Sequence, residues 1–146
     1  MTHLLEIYNL LEAFGTSHNM VSEFKLLNAL DDLESMELSY RGMYVCLDDA
    51  DISREDNNPV YDVRWNVVIV DKTEINNPKA SILSNQENLF VIGQLQDYLI
   101  RESTGNQEFD TVSMKGFVSG DYNITSAVTS VSFSTGRKGY DVNIDS

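Results

Sequence analysis

Polar and apolar residues alternate most regularly between Tyr61 and Lys72. Tyr61, Val63, Trp65, Val67 and Ile69 fall on one face of a strand, and Asp62, Arg64 and Asn66 fall on the other. This period of two, rich in β-branched and aromatic residues, predicts a strand. At Val68 and Val70 the second face also turns apolar, which predicts cover on both sides at that end. The next strong pattern is helical. Leu89, Ile92, Leu95 and Leu99 recur on one face of a helix expected from Ser84 to Glu102, with Ser84 and Glu87 spaced as a capping box. Between these elements, Asp71 to Leu83 reads as a polar loop, longer than a minimal connection and interrupted by Asn76-Asn77-Pro78.

The remaining segments arrange themselves around this pair. Leu4, Ile7, Leu11 and Phe14 define an amphipathic helix over residues 3–14, with Gly15 at the position that favours a left-handed C-cap. Thr16 to Asn19 is an expected loop, and Val21 to Leu30 fits either a short strand or a loose helix. A helical turn over Asp31–Glu37 precedes a strand over Ser39–Asp51. Asn57-Asn58-Pro59 marks a turn, so this strand and the Tyr61 strand are expected to form a hairpin. After the second helix come a strand over Phe109–Val118, a turn at Ser119-Gly120-Asp121 and a long strand over Tyr122–Ser134. In that long strand the apolar side changes from Ile124 and Val128 to Val131 and Phe133, which predicts a bulge or bend. A turn over Thr135–Gly139 and a short strand carrying Tyr140, Val142 and Ile144 close the chain. Strands and helices do not alternate as βαβ units. The order predicts an α+β fold, a mainly antiparallel sheet with an N-terminal helix and a second helix packed on one face.

Composition narrows the functional classes. A chain of 146 residues with 42% hydrophobic residues suits one domain spanning 1–146. The net charge of -13 argues against tight binding to phosphate backbones or anionic membrane surfaces. About half of that charge lies between Asp31 and Asp56, where nine acids face only Arg41 and Arg54. The densest run, Asp48, Asp49, Asp51, Glu55 and Asp56, lacks the glycine and closing glutamate of an EF-hand. It reads as a solvated strand end and turn. No disulfide can form within the chain, because Cys46 is its single cysteine; its position between Val45 and Leu47 marks it as a small buried hydrophobe. Residues 1–15 have neither the basic start nor the apolar run of a signal peptide, and no stretch reaches transmembrane length. The two histidines, His3 and His18, are expected at the surface. No nucleophile-elbow, dinucleotide-binding or phosphate-loop motif occurs. No enzyme activity, cofactor or metal is therefore expected. Arg137-Lys138 is the single adjacent basic pair.

Several stretches together resemble a known family. They are the helix from Leu4 to Phe14, the Val-Ile-Val-Asp-Lys of residues 68–72, Asn76-Asn77, and Ile82-Leu83-Ser84 opening a helix with the body Leu89–Ile100. A β-rich close ending in Tyr140–Ile144 completes the set. In this order they resemble the tail-terminator-like and neck-ring proteins of tailed bacteriophages, particularly the ring proteins of crAss-like phages. The resemblance implies a structural virion protein, assembled in the host cytoplasm as a ring of six or twelve subunits between portal, neck and tail proteins. DNA would pass through the lumen without specific binding, helped by acidic walls that repel phosphate. Lys72, Thr73, Glu74, Asn76, Asn77 and Lys79 in the expected loop, with Arg137 and Lys138, are the candidate contacts between subunits. The charge between Asp31 and Asp56 also suits a different role, a small acidic inhibitor or DNA mimic that occupies a basic host enzyme.

Overall fold

A computed structural model describes residues 4–28, 40–54, 60–103, 107–110 and 113–136. The expected helical turn at Asp31–Glu37, the turn at Glu55–Pro59, the Arg137-Lys138 pair and the last strand from Tyr140 lie outside these residues. The elements run α1 (Leu4–Ser17), β1 (Glu23–Leu27), β2 (Gly42–Arg54), β3 (Val60–Glu74), α2 (Pro78–Glu102), β4 (Gln107–Phe109), β5 (Ser113–Ser119) and β6 (Tyr122–Gly136). The sheet order is β1-β2-β3-β6, with β4 and β5 both pairing β6. This is the expected α+β fold with a mainly antiparallel sheet; β1, which resolves the ambiguous segment as a strand, pairs β2 in parallel.

The sheet is built around β3 and β6, which pair without interruption from Val60↔Gly136 to Glu74↔Tyr122. Both helices cover one face. Ile7, Leu11 and Phe14 of α1 and Val91, Ile92, Leu95 and Leu99 of α2 pack against Val63, Trp65, Val67, Ile69, Ala127, Val131 and Phe133. The opposite face carries a second buried cluster of Leu27, Tyr44, Cys46, Val68, Val70 and Ile124. The double cover expected at Val68 and Val70 is therefore present, and Cys46 is buried, as expected.

Several expected boundaries change. β6 has no bulge against β3: Ile124 and Val128 serve the far cluster while Val131 and Phe133 serve the helix side. A straight strand buried on both faces produces the same switch of apolar side. Thr135 and Gly136 continue that strand and do not begin a turn. The irregularities sit elsewhere. In β2, residues 47–50 all stand opposite Trp65 between the pairs Cys46↔Asn66 and Asp51↔Arg64. The expected Phe109–Val118 strand is interrupted, because the register slips by one residue between Phe109↔Val131 and Ser113↔Val128. The turn into β6 is as expected, with Gly120 at φ 60.

Gly15 does not end α1. The helix continues to Ser17, and Gly15 is buried against Phe24. A Cβ there would lie 2.5 Å from Phe24 Cδ2 and 3.1 Å from Met43 Sδ, so close approach to β1 and β2 explains the glycine.

Candidate functional site

The stretch expected as a long loop is mostly regular structure. β3 continues to Glu74, and α2 begins at Pro78, six residues ahead of Ser84. Asn77 is the N-cap, its side-chain oxygen accepting from the Ala80 N–H at 3.1 Å, and Pro78 occupies the first turn, where a missing N–H is harmless. Only Ile75 and Asn76 separate the cap from the strand. Lys72, Thr73 and Glu74 thus belong to β3, Asn76 is in a tight turn, and Lys79 is exposed on the first turn of α2. Thr73 Oγ1 meets Ser81 Oγ at 2.9 Å and fixes strand to helix.

The earlier helix start changes what Ser84 and Glu87 do. They are no capping box. Ser84 and Asn88 lie on the buried face of α2, while Leu89 is exposed and Val91 takes its place in the core. Opposite them stands Arg41, at the entry to β2 with φ 51. Its Nη2 donates to Asp71 Oδ2 at 3.0 Å, its Nη1 to Glu87 Oε2 at 2.9 Å and its Nε to Asn88 Oδ1 at 3.1 Å. Asp71 also accepts from the Arg41 backbone N–H at 3.1 Å and from Ser84 Oγ at 2.7 Å. Ser84 and Asn88 both reach Thr125 Oγ1 on β6, at 2.6 and 3.2 Å. The Arg41 carbonyl accepts from the Ser22 N–H at 2.8 Å. The guanidinium thus ties β2 to β3 and α2, Ser84 and Asn88 extend the network to β6, and the Arg41 carbonyl holds the approach to β1. Arg41 and Asp71 are nearly buried, and Glu87 is half exposed. A buried guanidinium needs such a set of acceptors to offset lost hydration.

Lys72 lies beside this network on the surface. Its Nζ sits 4.5 Å from the ring centre of Tyr40 and 5.0 Å from that of Tyr122, and the two rings meet edge-on at 6.3 Å. Hydrogen bonding to Tyr122 is the largest influence raising the Tyr40 phenol above its ordinary value. The field of Tyr122, partial burial, and the charges of Asp71 and Glu74 act in the same direction. Two rings that hold an ammonium this way suit a fixed surface contact.

His18 belongs to a separate place. Phe14, His18, Gln94, Asp97, Tyr98 and Arg101 line a shallow cavity of about 360 Å³. The Met20 N–H donates to His18 Nδ1 at 3.0 Å, so the ring proton sits on Nε2, which donates to Gln94 Oε1 at 2.6 Å. Both ring nitrogens are thereby engaged, Nδ1 within the turn after α1 and Nε2 across to α2, and the cavity lining contains no Ser, Thr or Cys to act as a nucleophile. On the far face Arg64 pairs with Asp110 at 2.9 Å and donates to Ser130 Oγ, which in turn bonds Asn66.

Sequence reading placed the candidate contacts around residues 72–79 but missed Arg41, Asp71, Ser84, Asn88 and Thr125. The available signal was the helical phase. Ser84 and Asn88 continue the Val91, Ile92, Leu95, Leu99 face backwards by one and two turns, so a helix started at Asn77 buries them. Among the described residues no three His, Cys, Asp or Glu side chains gather as a metal site, and no helix is long and apolar enough to cross a membrane. No protein-family model and no curated protein sequence matches this chain.

Proposed function

We propose that this chain is a structural virion subunit of a tailed phage, forming a ring of six or twelve copies at the connector, neck or tail terminator. The observation that carries the reading is the fate of its polar chemistry. The largest buried polar cluster among the described residues, around Arg41, is used up in locking α2 to the sheet. A rigid body of defined outline is what a ring subunit needs, and no activity is assigned to it. The order of elements and the Val68–Lys72 and Asn76-Asn77 stretches support the same reading, as does the acidity, which lets DNA move through a lumen without adhering.

Lys72, Thr73, Glu74, Asn76, Asn77 and Lys79 remain the proposed contacts toward neighbouring subunits or portal and tail proteins, now as a rigid strand-turn-helix corner. Arg137 and Lys138 are proposed to meet the acidic region of the next subunit. Negative-stain microscopy of the purified protein and of virions tests the reading. Annular particles, and the protein's presence in virions, are the expected results. A strictly monomeric protein absent from particles would sink it.

A further inference from the structure

The outer face of α2 is out of keeping with so acidic a protein. Ile82, Leu83, Leu89, Phe90 and Ile100 are between 38% and 68% exposed. At helical spacing they fall within an arc of roughly 120°, opposite the buried Ser84, Asn88, Val91, Ile92, Leu95 and Leu99. From Lys79 to Gln96 the helix carries only two charged residues, Lys79 and Glu87. Glu87 is neutralised by Arg41 at 2.9 Å. Two copies of a chain with net charge -13 repel each other over most approaches, but much less across this face.

Besides Arg101, which pairs with Glu102 at 3.0 Å, the same arc contains two exposed charges of opposite sign, Lys79 near its start and Asp97 near its end. They are about 27 Å apart at 1.5 Å per residue. A twofold axis midway between them brings Lys79 of each copy level with Asp97 of the other. It also sets Gln86 beside Phe90 and Leu83 at the level of Gly93. A Cβ on Gly93 would meet nothing within 4 Å, so this glycine is a notch open to the outside in the middle of the apolar arc. The five apolar side chains expose roughly 500 Å². That equals the apolar share of a standard interface, about 800 Å² per partner and some 56–65% apolar.

We propose that this face pairs with a second copy of the chain, two α2 helices packing antiparallel about a twofold axis with reciprocal Lys79–Asp97 contacts. Rings close through head-to-tail contacts whereas this contact is isologous, so the pairing goes beyond the ring reading and does not depend on it.

The test is sedimentation equilibrium of the full chain at low and high salt. The wild type is expected to reach at least twice its 16.5 kDa mass, as pairs or as larger assemblies built from pairs. Phe90→Asp, which leaves the core untouched, is expected to weaken pairing at least tenfold, while Leu26→Asp on β1 leaves it unchanged. Lys79→Glu and Asp97→Lys are each expected to weaken pairing about three- to thirtyfold at low salt, and the double exchange to restore it. Circular dichroism checks that every variant is folded. A wild type that stays monomeric, binding only to a different protein included, overturns the pairing. So does a Phe90→Asp protein that pairs normally, and a double exchange as weak as its parents overturns the antiparallel register. Rings that survive Phe90→Asp would retain the ring reading, and pairs that never close into rings would remove it.

Discussion

Replacing Arg41 with methionine tests the central lock most directly. The substitution keeps the aliphatic stem and removes three charged hydrogen bonds, to Asp71, Glu87 and Asn88. Asp71, whose side chain is 14% exposed, then keeps only the residue 41 backbone N–H and Ser84 as donors. Removing one partner of a buried ion pair costs about 3–5 kcal/mol. Glu87 is half exposed and recovers water, which places the expected loss near the lower end, about 3 kcal/mol. With a urea slope of about 2 kcal/mol/M, the unfolding midpoint should fall by about 1.5 M. The fluorescence of Trp65, the chain's one tryptophan, buried edge-on against Phe133 at 5.4 Å, reports the transition. Asp71→Asn in the Arg41→Met background removes the stranded charge. The double variant should therefore lose less than the sum of the singles by at least about 1 kcal/mol. A midpoint shift under about 0.5 M, or additivity within about 0.5 kcal/mol, would refute the assignment of the network as the lock.

Other outcomes follow from the same geometry. Gly15→Ala should destabilise by about 1–3 kcal/mol in spite of alanine's better helix propensity, because its Cβ meets Phe24 at 2.5 Å; chemical denaturation measures it. Gly93→Ala, in open space within its own subunit, should instead raise the melting temperature by about 2–4 °C when made in the Phe90→Asp background that does not pair. Asn77→Ala removes the N-cap acceptor and should cost about 1 kcal/mol, with fraying of the first turn of α2 visible by amide exchange. The Tyr8 phenol donates to Glu12 Oε2 at 2.8 Å, and this bond chiefly raises its pKa, with partial burial and the Glu12 charge adding. Its contribution to stability is then complete below the ordinary phenol range and is lost as pH rises through the raised value. Ultraviolet titration should show Tyr8 ionising late, and Glu12→Gln should bring it back toward the ordinary value.

The fold was legible where side-chain period alone decides it. The alternation from Tyr61 to Ile69 placed β3 with its correct face inward, and Val68 and Val70 correctly marked cover on both sides. The Ile7, Leu11, Phe14 spacing placed α1. Reading failed where polar residues are buried. Ser84 and Asn88 look like surface or cap residues, because local sequence does not show that distant residues supply their partners, Arg41 for Asn88 and Asp71 and Thr125 for Ser84. The helix start was therefore set at the first apolar periodicity, and a strand-turn-helix corner became a loop. Likewise the alternating sides of Ile124, Val128, Val131 and Phe133 imitate a bulge when a strand is buried on both faces. The parallel pairing of β1 depends on a partner strand fifteen or more residues away, to which period is blind.

The unbroken β3–β6 ladder has a consequence for synthesis on the ribosome. β6 begins roughly 50 residues after β3 ends, so the Val67–Val70 run, apolar on both faces, emerges long before its main partner. At about 5–20 residues per second, that strand waits about 3–10 s with only β2 beside it. Long-range pairing of this kind is slow and leaves an aggregation-prone edge exposed in the interval. α1 is already made when β3 emerges, and α2, translated between the two strands, completes the cover of the helix-facing side.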